Sequence, residues 1–148
     1  MRFFIPFLFS VLMIHSANAV PGARVVERFG FKDAIELTNG TCTVVLTPAV
    51  GGKIMSYKLG EKEALEINPN ERGDRKPEDG DEWNVNWAGR FDFGPETQVP
   101  SHPELWHGPW KGEITGPRQA TLTSIRHEAS GAQLVRTFTL AAKGSHLS

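Results

Sequence analysis

The feature that most constrains the fold is a succession of short strand-length segments, each bounded by glycine, proline or asparagine. The clearest two flank Asn39-Gly40, a pair that favours a tight β-hairpin because both of its residues can adopt positive φ. In the arm after this turn, Cys42, Val44 and Leu46 alternate with threonine and valine, which is the period of a strand with one apolar face. The sequence therefore predicts an antiparallel hairpin on a sheet with a buried side.

Strand-length segments recur along most of the chain, and no amphipathic helix of useful length is visible after residue 20. The predicted strands are residues 24–29, 35–38, 41–47, 53–59, 63–67, 110–115, 120–127 and 133–140. Turn residues separate them at the spacing that is typical of all-β domains. We therefore expect an all-β fold, an antiparallel β-sandwich, over residues 20–148.

Three details refine this expectation. Cys42 is the one cysteine, so no internal disulfide can form, and its place beside Val44 and Leu46 indicates a buried, inert thiol. Gly51-Gly52 favours a close backbone approach that side chains would block. Arg136 shares a strand face with Leu134 and Phe138, so we expect an ion pair at the sheet rim, with a catalytic role as the alternative.

The first 19 residues have the pattern of a secretory signal peptide. A basic start at Arg2 precedes an apolar run over residues 3–14, and Ala17-Asn18-Ala19 supplies small residues for cleavage. The competing interpretation, a membrane anchor, needs about 20 apolar residues, and this run is shorter. We expect a secreted or periplasmic protein with no membrane span after cleavage, in which Asn39-Gly40-Thr41 is a formal glycosylation sequon.

The charge of the chain argues against nucleic acid as a partner. Lysine and arginine number 16 against 17 aspartate and glutamate, for a formal net charge of −1, and the basic residues form no stripe. Residues 68–82 are polar and rich in proline and glycine, which predicts an exposed loop. The acids at positions 79, 81 and 82 leave a calcium site as the alternative, but their spacing does not match an EF-hand loop. We expect no cofactor, and the oligomeric state stays open.

Residues 83–111 combine aromatic and hydrogen-bonding side chains at unusual density. Their prolines and glycines argue against a helix, so we expect this stretch to wrap one side of a pocket. A sugar offers an apolar C–H face for stacking on an indole and hydroxyl groups for polar side chains. The ligand expected is therefore carbohydrate. The predicted substrate-binding residues are Asn86, Arg90, Asp92, Glu96, Glu104, Trp106 and Trp110.

His102 and His107 are the candidate catalytic residues in this stretch. An unperturbed imidazole titrates near pH ~6.5, which suits proton exchange with sugar hydroxyls. The alternative is that they are structural loop histidines. A metal site with Glu104 is a further alternative, but the histidine spacing is not that of zinc hydrolases, so no metal is expected. Arg90 has its own alternative, a salt bridge to Asp92 or Glu96.

The segment ELTNGTCTVVLTPAVGGKIMSYKLGEKEALEINP, residues 36–69, resembles the opening of galactose-mutarotase-like (aldose-1-epimerase-like) domains. The matching positions are Gly51-Gly52, Ile54 and Ser56, and the later runs NWAGRFDFGPE and HPELWHGPWKGEITGPRQATLTS look like an uncharacterised secreted branch of that superfamily. The resemblance implies part of a β-supersandwich, with a carbohydrate cleft on its concave face. It also implies that Asn86 and Arg90 contact substrate.

In the epimerases of this superfamily, a histidine acts as general acid and a glutamate from late in the chain acts as general base. The resemblance places that glutamate beyond Ser148, so we expect a chain truncated at its C-terminus. Three functions follow in order. The first is a secreted carbohydrate-binding domain that is catalytically incomplete. The second is an aldose 1-epimerase or a related sugar-active enzyme, complete only in a longer chain, and the third is a structural envelope protein.

Overall fold

The computed structural model describes residues 21–66, 73, 89, 91, 93–95 and 97–148. The predicted signal peptide and, apart from Gly73, the predicted loop at residues 68–82 lie outside them. The elements of the described residues are β1 (Gly22–Arg28), β2 (Phe31–Thr38), β3 (Cys42–Thr47), β4 (Lys53–Leu59), β5 (Lys62–Glu63), α1 (Pro103–His107), β6 (Lys111–Gly116), β7 (Gln119–Arg126) and β8 (Gln133–Thr139).

These strands form two antiparallel sheets. The first sheet has the order β1-β2-β3-β4-β5 and the second has the order β6-β7-β8, so within each sheet strands that are consecutive in sequence pair with each other. The prediction of a mostly β protein built from antiparallel sheets is confirmed. No helix among the described residues is long and apolar enough to cross a membrane.

The predicted hairpin joins β2 to β3, but its turn is longer than expected. β2 ends at Thr38 and β3 begins at Cys42, which leaves three residues in the connection. Gly40 has φ 87°, whereas Asn39 is not among the residues with positive φ, so the prediction for Asn39 is wrong. The reason is local hydrogen bonding, because Asn39 Oδ1 accepts from the N–H groups of Thr41 at 3.0 Å and Cys42 at 2.7 Å.

A single apolar core is shared by the two sheets. The first sheet contributes Ile35, Leu37, Cys42, Val44 and Leu46, and the second sheet and its flanks contribute Trp110, Ala120, Leu122, Phe138 and Leu140. Alternate residues of β3 and β7 point into this core, as the period of two requires. The predicted burial of Cys42 is confirmed, and burial raises the pKa of its thiol.

The opposite face of the first sheet is also buried. Phe31, Ala34, Val45, Val50 and Met55 form a second apolar cluster there. A charged side chain on this face, that of Glu36, is 3% exposed. Arg24 forms an ion pair with one oxygen of Glu36, and Arg28 lies 3.3 Å from the other.

Residues 141–148 fold back on both sheets. Leu140 pairs with Leu147, and the N–H of Thr139 donates to the carbonyl of Ser148 at 2.8 Å. Asn39 Nδ2 donates to the carbonyls of Ala141 at 2.9 Å and Gly144 at 2.8 Å. The Asn39 amide is therefore held in the fold by these bonds.

Candidate functional site

The turn between β3 and β4 meets the segment that carries the candidate residues. Gly51 and Gly52 have φ of 61° and 53°. A Cβ on Gly51 would lie 2.0 Å from the carbonyl oxygen of Trp106, and one on Gly52 would lie 2.5 Å from the Trp110 ring. The Gly51 N–H also donates to the carbonyl of Gly108 at 2.9 Å. The predicted close backbone approach is thereby confirmed.

Helix α1 corrects the prediction that residues 83–111 contain no helix. Pro103 occupies the first turn, where a missing N–H is harmless and the fixed φ suits a helix. The helix ends after one turn, where the Gly108 N–H donates to the carbonyl of Glu104 at 3.0 Å. The four candidates His102, Glu104, Trp106 and His107 all lie in this single helical turn or at its N-terminal cap.

His102, just before α1, has a ring nitrogen with no partner among the described residues. Its Nδ1 lies 2.7 Å from the carbonyl oxygen of Pro100, so Nδ1 carries the hydrogen and donates it. The side chain is buried, at 1% exposed, and Nε2 makes no hydrogen bond to the described residues. Aromatic rings contact the imidazole, with centroids 5.3 Å away for Phe93 and 4.4 Å away for Trp106. A buried nitrogen in this state has capacity for a ligand or a water.

His127 completes the polar side of this cluster, and the sequence did not single it out. Its Nδ1 accepts from the Ser130 N–H at 3.3 Å and lies 2.7 Å from Ser130 Oγ, so the hydrogen sits on Nε2. That Nε2 lies 3.8 Å from Glu104 Oε2. The imidazole centroids of His127 and His102 are 6.1 Å apart. The second sheet and α1 thus bring two imidazoles and a carboxylate together.

The two described tryptophans occupy different positions. Trp106 is half-buried and packs edge-on against His102, while the centroid of His107 lies 6.3 Å from the Trp106 ring. Trp110 is 5% exposed, belongs to the shared core, and donates Nε1 to the carbonyl of Leu105 at 3.1 Å. Trp106 therefore lies at the candidate site, whereas Trp110 packs in the core and hydrogen-bonds to Leu105 of α1.

Arg136 lies on the inner face of the second sheet, between Leu134 and Phe138. Its Nη1 donates to the carbonyl of Gly52 at 2.8 Å, and its guanidinium carbon lies 4.7 Å from the Phe138 centroid and 4.9 Å from that of Phe91. Burial lowers the pKa of the guanidinium. The expected rim ion pair does not occur with any described carboxylate.

The remaining predicted ligand contacts, Asn86, Arg90, Asp92 and Glu96, lie outside the described residues, as do the acids of the alternative calcium site. Within the part of the chain that the structure describes, no group of three histidine, cysteine or acidic side chains is arranged to hold a metal ion.

A separate cavity of about 310 Å³ lies between β4, β5 and residue 145. Tyr57, Leu59, Lys62, Glu63, Ala64 and Ser145 line it. None of the predicted site residues contributes to its walls.

Protein-family models, curated proteins and solved structures were compared with this chain, and none of the three comparisons gives a match. The resemblance to galactose-mutarotase-like domains therefore stays a prediction.

Proposed function

We propose that this chain is a secreted or periplasmic carbohydrate-binding domain, a β-sandwich of the galactose-mutarotase-like type. The observation that carries the proposal is the contact of Trp106 and Phe93 with His102, whose buried Nε2 has no partner among the described residues. Sugars need this combination of aromatic surface and hydrogen-bonding groups, because each pyranose has an apolar face and a rim of hydroxyls.

The sandwich part of the proposal is supported by the shared core. Side chains from β2 and β3 of the first sheet pack with side chains from β7 and β8 of the second. Two antiparallel sheets that interleave their inner side chains in this way form a sandwich. The His102 and Trp106 cluster lies where α1 contacts β7, so the site is at the margin of that core.

In the proposed complex, the half-buried indole of Trp106 stacks on a sugar face. His102 Nε2 accepts a hydrogen bond from a hydroxyl, since its hydrogen is already on Nδ1. The Glu104 side chain is 54% exposed, and its carboxylate accepts from a second hydroxyl, while His127 Nε2 lies 3.8 Å from that carboxylate. His107 belongs to the same proposed ligand shell.

The proposal is tested by titrating the purified chain with mono- and oligosaccharides, followed by tryptophan fluorescence and calorimetry. We expect saturable binding that Trp106→Phe and His102→Gln each weaken about tenfold, the loss of one stacking or hydrogen-bonding group. Thr137→Ala, on the exposed outer face of the second sheet, is the control and should bind like wild type. Absence of heat and fluorescence change with every sugar would refute the proposal and favour a structural envelope protein.

A second candidate function is sugar epimerisation, favoured by the two adjacent imidazoles. His102 can accept a proton at Nε2, and His127 presents an N–H toward Glu104, so a base and a donor lie in one cluster. Polarimetry of freshly dissolved glucose and galactose tests it. Acceleration that His102→Gln abolishes would support an aldose-1-epimerase-like activity, and a rate equal to that of buffer would exclude it for these sugars.

A further inference from the structure

Arg136 is a partly buried cation for which the described residues supply no counter-charge. Moving a guanidinium out of water is costly unless an anion and further hydrogen bonds compensate. The described partners of Arg136 are one carbonyl, that of Gly52, and two phenyl rings. Such contacts stabilise a cation without neutralising it.

The open donors of Arg136 define what can bind there. A guanidinium carries five N–H groups, and among the described residues Arg136 uses Nη1 alone as a donor. The two phenyl rings contact the guanidinium by cation–π geometry, so a ligand is expected to approach its edge. A planar carboxylate matches that edge with two parallel hydrogen bonds.

Arg136 is linked to the proposed sugar site through two segments. Its acceptor, Gly52, sits in the turn that packs against Trp106 and Trp110. Phe91 contacts Arg136, and Phe93, two residues later, contacts the His102 ring. One short stretch of chain therefore touches both the cation and the imidazole.

We propose that Arg136 binds the carboxylate of a uronic acid, so that the ligand of this domain is an acidic oligosaccharide. The inference rests on the proposed carbohydrate-binding function and specifies its ligand class. A sulfate ester on a neutral sugar would present the same oxyanion chemistry, and the experiment below separates the two sources.

The experiment compares three ligand sets by calorimetry on the purified chain: galacturonate and glucuronate oligosaccharides, their neutral counterparts, and sulfated counterparts. The variants are Arg136→Gln, which removes the charge, and Arg136→Lys, which keeps the charge and loses the fork. Arg126→Gln is the matched control, because Arg126 is an exposed arginine at the end of β7. Circular dichroism and thermal melting establish that each variant is folded.

We expect uronate oligosaccharides to bind at least about tenfold more tightly than neutral ones, with an affinity that falls as the salt concentration rises. Arg136→Gln should abolish that preference, Arg136→Lys should retain only part of it, and Arg126→Gln should leave it intact. Equal affinity for uronate and neutral sugars would overturn the inference while the proposed function stands. A preference for sulfated over uronate ligands would overturn the carboxylate assignment, and failure of every sugar to bind would remove both proposals.

Discussion

Glu36 and Arg136 are both charged residues within sheets, but their surroundings differ. Glu36 is 3% exposed on β2, and two arginines from the neighbouring strand β1 reach its two oxygens. Arg136 on β8 has one carbonyl and two aromatic rings as its described partners. The charge of Glu36 is neutralised by arginines of the same sheet, whereas the charge of Arg136 is not neutralised by any described residue.

The same contrast extends to the hydrogen bonding of other polar groups. The Glu63 carboxylate in the first sheet accepts hydrogen bonds from the Ser56 hydroxyl and three backbone N–H groups. Beside the second sheet, His102 Nε2 is buried without a described partner. Thr47 Oγ1 in the first sheet is likewise buried without a described partner, but the described ring contacts and ion pairs place no aromatic or acidic side chain beside it, as they do in the cluster around His102. Since unpaired buried polar groups raise the question of a ligand, the comparison supports the proposed site beside α1.

The largest loss of unfolding free energy is expected when Glu36 loses both of its arginine partners. The double variant Arg24→Ala, Arg28→Ala leaves Glu36 buried and unpaired, which should cost about 3 kcal/mol of unfolding free energy. Urea denaturation measures this cost, with Arg126→Ala as an exposed control that should change stability by less than about 0.5 kcal/mol. A double variant as stable as the control would show that the first sheet does not depend on these pairs.

A second prediction concerns the turn that joins the two regions. Gly51→Ala places a Cβ 2.0 Å from the Trp106 carbonyl at a φ of 61°, so both steric clash and backbone strain oppose it. Gly60→Ala is the matched control, because its φ is 57° and nothing lies within 4 Å of the added Cβ.

The control should lose about 1–2 kcal/mol from the left-handed backbone alone. Gly51→Ala should lose more in urea denaturation and should also weaken sugar binding, since the clash moves α1. If the two variants lose equal stability and bind equally, the Gly51 contact does not position the site.

The strands were predictable because each depends on local pattern. Alternation in β3 and the breaks at Asn39-Gly40 and Gly51-Gly52 are visible in the sequence, and seven of the eight predicted strands appear in the sheets. The predicted strand at residues 63–67 overlaps β5 at Glu63 alone, and residues 64–66 are not in a strand. The helix α1 was missed because a single turn started by Pro103 has too few residues to show a helical period.

His127 was missed for a different reason. The residues of β7 that point into the core are Ala120, Leu122 and Ser124, and continued alternation would turn His127 outward. An irregularity in the pairing between Thr123 and Arg126 shifts the phase, so His127 is buried instead. No residue in the sequence marks this shift. The lack of a described carboxylate partner for Arg136 likewise depends on tertiary contacts that periodicity does not report.

A third, smaller effect tests whether carboxylates of the first sheet serve stability. Burial by itself raises the pKa of Glu63, but the hydrogen bonds from Ser56 and the backbone of Tyr57, Leu65 and Ala64 outweigh it, and the net pKa is lowered. In the unfolded chain a glutamate has a pKa of about 4.3. Because the pKa of Glu63 is lower in the folded state, its ionised carboxylate stabilises the fold at pH values above the unfolded-state pKa, and this stabilisation is lost as the pH falls through the folded-state pKa.

Wild type should therefore lose stability in thermal melts as the pH drops from 5 to about 3. Glu63→Gln should show less of this loss, because it has no proton to take up. An identical pH profile in both proteins would mean that Glu63 makes no net contribution.

The smallest change in unfolding free energy is expected at Arg136. Its sign distinguishes the second sheet, where the charge is not neutralised by a described residue, from the first sheet, where the charge of Glu36 is. Replacing a desolvated, uncompensated cation by a flexible apolar side chain of similar length removes a desolvation cost, so Arg136→Met should leave stability unchanged or raise it slightly. The measurement is urea denaturation without ligand, beside the Arg24, Arg28 double variant. A loss as large as that of the double variant would show that Arg136 holds the fold together through Gly52 and the phenyl rings. Retained stability together with lost preference for uronate would instead mean that the charge is kept for binding, since nothing in folding requires it.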